Sequence, residues 1–146
     1  MKEIDKYKFC FVCGDKNPHG LKVKFFADGD IAKAEYTAGS DFQGYKDMFH
    51  GGILASLLDE VMIKAVIAKG LVVVTVGMEI AFKKPVKIGQ KIFLTGKMLE
   101  KKKRIILTEG EARLENGDIV ATASGKYFVA DEKMKEKLQE SLEKGQ

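Results

Sequence analysis

One long apolar helix, the only one indicated in the body of the chain, constrains the fold more than any other feature. The segment GGILASLLDEVMIKAVIAKG, residues 51–70, spaces its apolar residues as a helix does, and Gly70 is suited to end it. At about 100° per residue, one broad face carries six apolar side chains: Leu54, Leu57, Leu58, Val61, Met62 and Ala65. A single helix of this kind needs a sheet to cover that face.

The segments around the helix predict antiparallel strands. Residues 21–36 indicate a hairpin that turns at Asp28-Gly29. Residues 37–50 show neither the helical nor the strand spacing of apolar residues and predict a loop. After the helix come four strand-like runs, at 71–82, 90–100, 104–114 and 118–130. Because short turns join these runs, we expect them to form a meander in sequence order. The predicted order is β-β-α-β-β-β-β, an α+β domain.

Length and charge indicate one domain over residues 1–146, with an N-terminal loop (1–19) and a charged tail (131–146) that is a short helix or frayed. The net charge of +4 comes from interspersed Lys and Glu, unlike a nucleic-acid-binding stripe. No run approaches the ~18 apolar residues of a membrane span, and the first residues do not resemble a signal peptide. We expect a cytoplasmic protein without nucleic-acid or membrane partners.

Two cysteines, Cys10 and Cys13, have the spacing of half a zinc site or of a redox pair. A structural zinc ion needs four ligands, and His19 is the one further candidate nearby in the sequence. The following residues GDKNPHG form turns, whereas a redox pair needs a helix there. We therefore expect a reduced pair, with no metal and no cofactor.

Two acidic residues on the helix are predicted to lie in different environments. Asp59 lies at the edge of the apolar face with no basic residue three or four positions away, so its carboxylate is partly desolvated and suited to act as a base or nucleophile. An alternative is that Asp59 bonds a loop backbone. Glu60 falls on the far side with Lys64 four residues on, which predicts a solvated surface pair.

The helix begins with His50-Gly51-Gly52. A first helical turn offers unpaired N–H groups, and glycine lets a substrate oxygen approach them, as an oxyanion in acyl transfer requires. An alternative is a plain loop-to-helix junction, although Ser, Thr or Asp would stabilise it better. Gly51 and Asp59 lie about 12 Å apart along the axis, so one carbonyl cannot reach both in one chain. Two antiparallel copies of the helix would bring them together, which predicts a homodimer with composite sites.

The segment FQGYKDMFHGGILASLLDE, the helix before strands and the earlier CFVCG…NPHGL resemble the hotdog-fold acyl-CoA thioesterases. The closest resemblance is to the subgroup with phenylacetate-pathway and eukaryotic "thioesterase superfamily member" relatives, over roughly residues 9–130. It implies one helix wrapped by a curved antiparallel sheet, dimers that often pair into tetramers, and metal-free hydrolysis of acyl-CoA. It also implies that the Gly51 N–H polarises the thioester carbonyl.

The resemblance implies further roles. Asp59, from the other protomer, attacks the thioester or activates water, and the Thr75 hydroxyl assists, unless Thr75 is simply a β-branched strand residue. His50 orients the loop or contacts the thioester, and no acid near it in sequence marks it as a base. Several relatives carry Asn at the position of Gly44, so Gln43 is the candidate second donor.

Three more substrate-binding candidates are Gly52 at the helix start and Lys102 and Lys103 in EKKKR, whose charge suits the CoA phosphates. A solvated turn explains those lysines at least as well.

The sequence thus predicts an acyl-CoA thioesterase; a non-catalytic acyl-CoA-binding protein is the alternative, and the signature of acyl-CoA dehydratases is absent. Acyl preference, and the choice between nucleophile and base, stay open. The apolar residues Phe42, Tyr45, Met48 and Phe49 either cover the acyl group or pack the core.

Overall fold

The computed structural model of the protein describes residues 1–145, in which the chain forms nine strands and two α-helices. Their bounds are β1 (Lys2–Glu3), β2 (Lys6–Tyr7), β3 (Phe26–Asp28), β4 (Ile31–Thr37), α1 (Gly51–Ile67), β5 (Val73–Phe82), β6 (Lys91–Lys102), β7 (Ile105–Leu114), β8 (Ile119–Val129), α2 (Glu132–Leu138) and β9 (Leu142–Glu143). A single turn of 3₁₀ helix, Ser40–Phe42, lies in the loop that leads to α1.

Seven strands form one antiparallel sheet in the order β1-β3-β4-β6-β7-β8-β5, and α1 packs against it. All six apolar residues of the predicted helix face are buried in the resulting core. The α+β hotdog fold, a curved antiparallel sheet around one central helix, is therefore confirmed.

Strand β5 lies elsewhere than predicted. Strands β6, β7 and β8 form a meander, but β5 pairs with β8 at the far edge of the sheet and does not pair with β6. Residues 83–90 carry the chain from that edge to β6, so β4 and β5 flank the meander on opposite sides and the sheet covers α1 from both. The expectation of a four-strand meander is wrong because pairing partners depend on how the sheet closes around the helix.

The regular alternation of side chains along β5 is interrupted. Thr75 pairs with Tyr127 and Gly77 with Lys126, so Val76 is an extra residue in a β-bulge. The bulge turns the residues after it, and Val76 and Phe82 are left 56% and 55% exposed.

The predicted turn positions are confirmed. Gly29, in the tight turn between β3 and β4, has φ of 61°, and Gly70, just after α1, has φ of 86°, values that favour glycine. No helix within residues 1–145 combines the length and apolar character that crossing a bilayer requires.

The two ends of the chain are more ordered than a loop and a frayed tail. The predicted N-terminal loop contains two short strands, of which β1 pairs with β3 and β2 pairs with β9. The predicted charged helix is α2, and Asp131 caps it by accepting a hydrogen bond from the Met134 N–H. The last residue of the predicted tail, Gln146, lies outside the described residues.

Candidate active site

The start of α1 is capped by a histidine. His50 has an extended backbone, and its Nδ1 accepts a hydrogen bond from the Gly52 N–H at 2.9 Å. The backbone oxygen of His50 accepts from Ile53 and Leu54, each at 3.1 Å. Because Nδ1 is an acceptor, the neutral ring carries its proton on Nε2. His50 thus does the work that sequence reasoning assigned to Ser, Thr or Asp.

The cap requires glycine at position 52 but not at position 51. A Cβ on Gly52 would lie 2.9 Å from Cε1 and 3.0 Å from Nδ1 of His50, so the imidazole leaves no room for a side chain there. A Cβ on Gly51 would make only ordinary contact, 3.7 Å from the Phe82 ring. Within residues 1–145 the Gly51 N–H has no hydrogen-bond acceptor, whereas the next three N–H groups are used. Gly51 therefore presents the free amide.

A cleft of about 620 Å³ opens beside Gly51. Its apolar walls include Tyr45, Met48, Phe49, Leu54, Phe82 and Val86. Three of the four apolar loop residues singled out from the sequence thus line it, while Phe42 packs edge-on against Phe11, with ring centroids 6.4 Å apart. The cleft combines an apolar lining with the free helix amide.

Two lysines that sequence reasoning missed, Lys83 and Lys84, also line the cleft. Lys84 is paired with Asp118 at 2.9 Å, whereas Lys83 has no acidic partner in the described part of the chain. The sequence gave no indication that these lysines lie near the start of α1, because only the crossover from β5 to β6 brings them there.

Asp59 meets two hydroxyl groups of its own chain. Tyr127 on β8 donates to Oδ1 at 2.8 Å, and Thr75 on β5 donates to the same oxygen at 3.1 Å. Thr75 and Tyr127 are cross-strand partners, so the sheet register aims both hydroxyls at one carboxylate. The structure thus brings Thr75 to Asp59 and adds Tyr127, which no local pattern had indicated. Within residues 1–145 no loop backbone group donates a hydrogen bond to the Asp59 carboxylate.

Glu60 is not on the solvated surface. Its side chain is 14% exposed and that of Lys64 only 1%, although the two are 3.8 Å apart as the helical spacing predicted. The N-terminal segment covers them: Lys64 donates to the Asp5 backbone oxygen, and the Cys10 thiol lies 3.7 Å from the Glu60 carboxylate. Burial raises the pKa of Glu60 to about 7. The surface interpretation was wrong because helical periodicity does not show what a distant segment covers.

The remaining candidates are Gln43, Lys102 and Lys103. Both ends of the Gln43 amide hold the loop: its nitrogen donates to the Ser40 oxygen at 2.9 Å and its oxygen accepts from the Asp47 N–H at 2.7 Å. Lys102 and Lys103 lie at the β6–β7 turn, and Lys102 is three strands from β5, roughly 14 Å at the usual spacing. The substrate-binding roles of Gln43, Lys102 and Lys103 stay predictions.

A family model described as the thioesterase superfamily matches residues 47–121, just over half of the chain. The matched span begins just before the capped helix start and includes Gly51, Asp59 and Thr75. The chain belongs to the thioesterase superfamily. A search of curated protein sequences gives no match.

Solved structures show the same fold. A thioesterase superfamily protein matches with a TM-score of 0.78 and 25% identity over 82% of this chain, which spans only 63% of that protein. The PaaI protein of the E. coli phenylacetic acid degradation operon matches with a TM-score of 0.71 and 23% identity, over 76% of this chain and 81% of that one. At that identity the second likeness shows the fold alone.

A third match is a hypothetical thioesterase from Streptococcus pneumoniae TIGR4, solved with coenzyme A. Its TM-score is 0.70 and its identity 21%, over 74% of this chain and 85% of that one, so it too shows the fold alone. The same pneumococcal protein has been solved with alanine in place of an aspartate and, separately, in place of a threonine sixteen residues further along its chain.

Proposed function

We propose that the protein is an acyl-CoA thioesterase that hydrolyses an acyl- or aryl-CoA to the free acid and CoA. One observation carries the proposal. Helix α1 holds a carboxylate that two hydroxyls orient, and at its start it presents a free amide beside an apolar cleft. A thioester needs little more, because its thiolate leaves readily. The Gly51 N–H stabilises the oxyanion, and donors of this kind contribute about 3 kcal/mol to transition-state stabilisation.

The structural relatives support the choice of substrate and residues. Coenzyme A is present in the pneumococcal structure, and the aspartate and threonine substituted there are sixteen residues apart, as are Asp59 and Thr75. Lys83, which lines the cleft without an acidic partner among the described residues, suits the CoA phosphates, and the apolar walls suit an acyl or aryl group.

The active unit that we propose is a dimer, and a tetramer would pair two such dimers through other surfaces of the fold. Asp59 and Gly51 of one chain lie about 12 Å apart along α1, too far for one carbonyl. Strand β5 runs between them: Thr75 near its start contacts Asp59, and Phe82 at its end lies beside Gly51.

The free edge of β5 suggests how two chains would pair. An antiparallel pairing of two β5 strands centred between Met78 and Glu79 sets Thr75 of one protomer opposite Phe82 of the other. Asp59 of each chain then approaches Gly51 of its partner. The exposure of Val76 and Phe82 along this edge, 56% and 55%, is consistent with an interface there.

A subunit-mixing experiment tests the shared site. Gly51→Pro removes the free N–H yet suits the helix, because proline is favoured at the first helical position and His50 before it is already extended, with ψ of 127°. Gly51→Pro and Asp59→Ala should each abolish turnover alone. Exchange of subunits at equal concentrations should restore about a quarter of wild-type activity, since half the dimers then hold one intact composite site.

Gly51→Ala is the matched control, because it keeps the N–H and should keep most activity. A mixture that stays inactive although mass spectrometry shows mixed dimers would refute the composite site. Wild-type protein that binds CoA but releases no thiol from short, medium, long or aromatic acyl-CoAs would instead be a non-catalytic binding protein. Single turnover in labelled water separates the two roles of Asp59, because label enters its carboxylate only if Asp59 is the nucleophile.

A further inference from the structure

Three side chains with metal-binding atoms meet where the N-terminal segment crosses α1. The Cys10 sulfur lies 3.7 Å from Oε2 of Glu60, and one ligand atom each from Cys10, Cys13 and Glu60 all lie within 4.8 Å of one another. Cys13 is buried and both cysteines are free thiols. Glu60 supplies the ligand that the sequence around the cysteines lacked, from fifty residues away.

The cysteine loop is built to present its sulfurs. The Cys13 N–H points to the Cys10 sulfur at 3.5 Å, and the Gly14 N–H closes the loop on the Cys10 oxygen at 2.8 Å. A Cβ on Gly14 would lie 2.5 Å from the Cys10 nitrogen, so only glycine allows this closure. The closed loop holds both sulfurs close to the Glu60 carboxylate.

The separation between Cys10 and Glu60 fits a tetrahedral ion. Zinc lies about 2.3 Å from a thiolate and about 2.0–2.2 Å from a carboxylate oxygen, which puts the two ligand atoms roughly 3.6 Å apart at a tetrahedral angle. The separation between Cys10 and Glu60 is 3.7 Å.

The charges also fit. Two thiolates and a carboxylate carry three negative charges, and the buried Lys64 ammonium, 3.8 Å from Glu60, offsets one of them. A divalent cation neutralises the remainder. The Lys64 ammonium also donates a hydrogen bond to the Asp5 backbone oxygen. Lys64 can therefore hold the Glu60 carboxylate in place, as groups bonded to metal ligands commonly do.

We propose that Cys10, Cys13 and Glu60 bind one borderline divalent cation, of which Zn²⁺ is the typical case, with a water as fourth ligand. Two sulfurs and one oxygen as ligands favour zinc over magnesium or calcium. The ion fastens the cysteine loop to the middle of α1, one residue from Asp59, whose side chain points to the opposite side toward β5 and β8. The hydrolytic chemistry proposed above does not depend on it.

Cobalt(II) titration of the full reduced chain tests the site, because Co²⁺ replaces Zn²⁺ and reports its ligands by absorption. We expect one Co²⁺ per chain, with a sulfur-to-cobalt charge-transfer band and the visible bands of tetrahedral cobalt, both removed by one equivalent of Zn²⁺. Cys10→Ser and Cys13→Ser should each weaken the charge-transfer band and together should abolish it, and Glu60→Gln should raise the Kd for Co²⁺ at least tenfold. Circular dichroism checks that each variant is folded.

His19→Ala is the matched control: it removes an exposed imidazole from the same segment that is not part of the cluster, and it should leave the titration unchanged. For wild-type protein, Zn²⁺ should raise the Tm by several degrees and a chelator should reverse this, which keeps the test valid if a cysteine variant misfolds. Reduced wild-type protein that binds no Co²⁺, or a spectrum that survives both serine variants, overturns the proposal.

Discussion

The hydroxyl of Tyr127 donates a hydrogen bond to Oδ1 of Asp59 at 2.8 Å from a side chain that is wholly buried. It also lies 3.2 Å from the backbone oxygen of Asp59, so the phenol is fixed against α1. Burial, and next the negative charge of Asp59, raise the pKa of Tyr127. The hydroxyl therefore stays protonated, and a donor, throughout the physiological pH range.

Tyr127→Phe tests this orientation. It leaves Thr75 as the remaining hydroxyl donor to Asp59, and a hydrogen bond to a charged group is worth about 1.5–3 kcal/mol. We expect kcat to fall by about tenfold to a hundredfold with little change in KM. Tyr36→Phe, which alters a tyrosine on β4 at the other side of the sheet, serves as the control and should leave kcat unchanged. Equal effects of the two variants would contradict the orienting role.

Thr75 offers a second, gentler test. Its side chain is exposed in the single chain, so Thr75→Val should change the free energy of unfolding of the separated chain by no more than about 0.5 kcal/mol. We expect kcat to fall about tenfold, because the hydroxyl is worth about 1.5 kcal/mol or more to a charged acceptor. Thr75→Ser keeps the hydroxyl and should keep most of the rate. A serine variant as slow as the valine variant would show that the methyl group, and not the hydroxyl, matters.

The two glycines of the helix start should respond differently to alanine. In Gly52→Ala the new Cβ displaces the His50 ring and breaks the cap, which should cost about 1 kcal/mol of stability. In Gly51→Ala the Cβ meets Phe82 at an ordinary 3.7 Å, so stability should hold or rise slightly. Urea unfolding of the two variants measures the difference. Equal destabilisation of both would argue against the histidine cap as the reason for Gly52.

The lysines of the cleft give a prediction about CoA. Lys83→Glu should raise the KM for acyl-CoA with kcat nearly unchanged, and the effect should shrink at high ionic strength, where exposed charges are screened. The paired change Lys102→Glu with Lys103→Glu is the comparison, because it alters charge at the β6–β7 turn. A larger rise in KM for that pair would return the phosphate site to the position that the sequence predicted.

Local patterns predicted what local structure decides. The bounds and buried face of α1, the turn at Gly29 and the end at Gly70 follow from periodicity and backbone preference within a few residues. The pairing of β5 with β8 and the bulge at Val76 do not, because both depend on how the whole sheet closes. Tyr127 reaches Asp59 only through that closure, which is why no spacing in the sequence pointed to it.

Glu60 shows the same limit on one residue. Its spacing to Lys64 correctly predicted the ion pair, at 3.8 Å. The inference that the pair is solvated failed because the covering residues, Asp5 and Cys10, lie more than forty residues away in the sequence. What covers a helix face is a long-range property.

The pairing of β2 with β9 joins the N-terminal segment to the C-terminal tail of the described chain. The Lys8 N–H bonds the Ser141 oxygen at 2.9 Å, and the Gly145 N–H bonds the Asp5 carboxylate at 2.8 Å, on either side of the segment that leads into the cysteine loop. Removal of residues 139–145 would therefore loosen the cysteine loop although none of the loop's own side chains is changed. After proteolytic cleavage of the tail, backbone amides around Cys10 should exchange hydrogen faster.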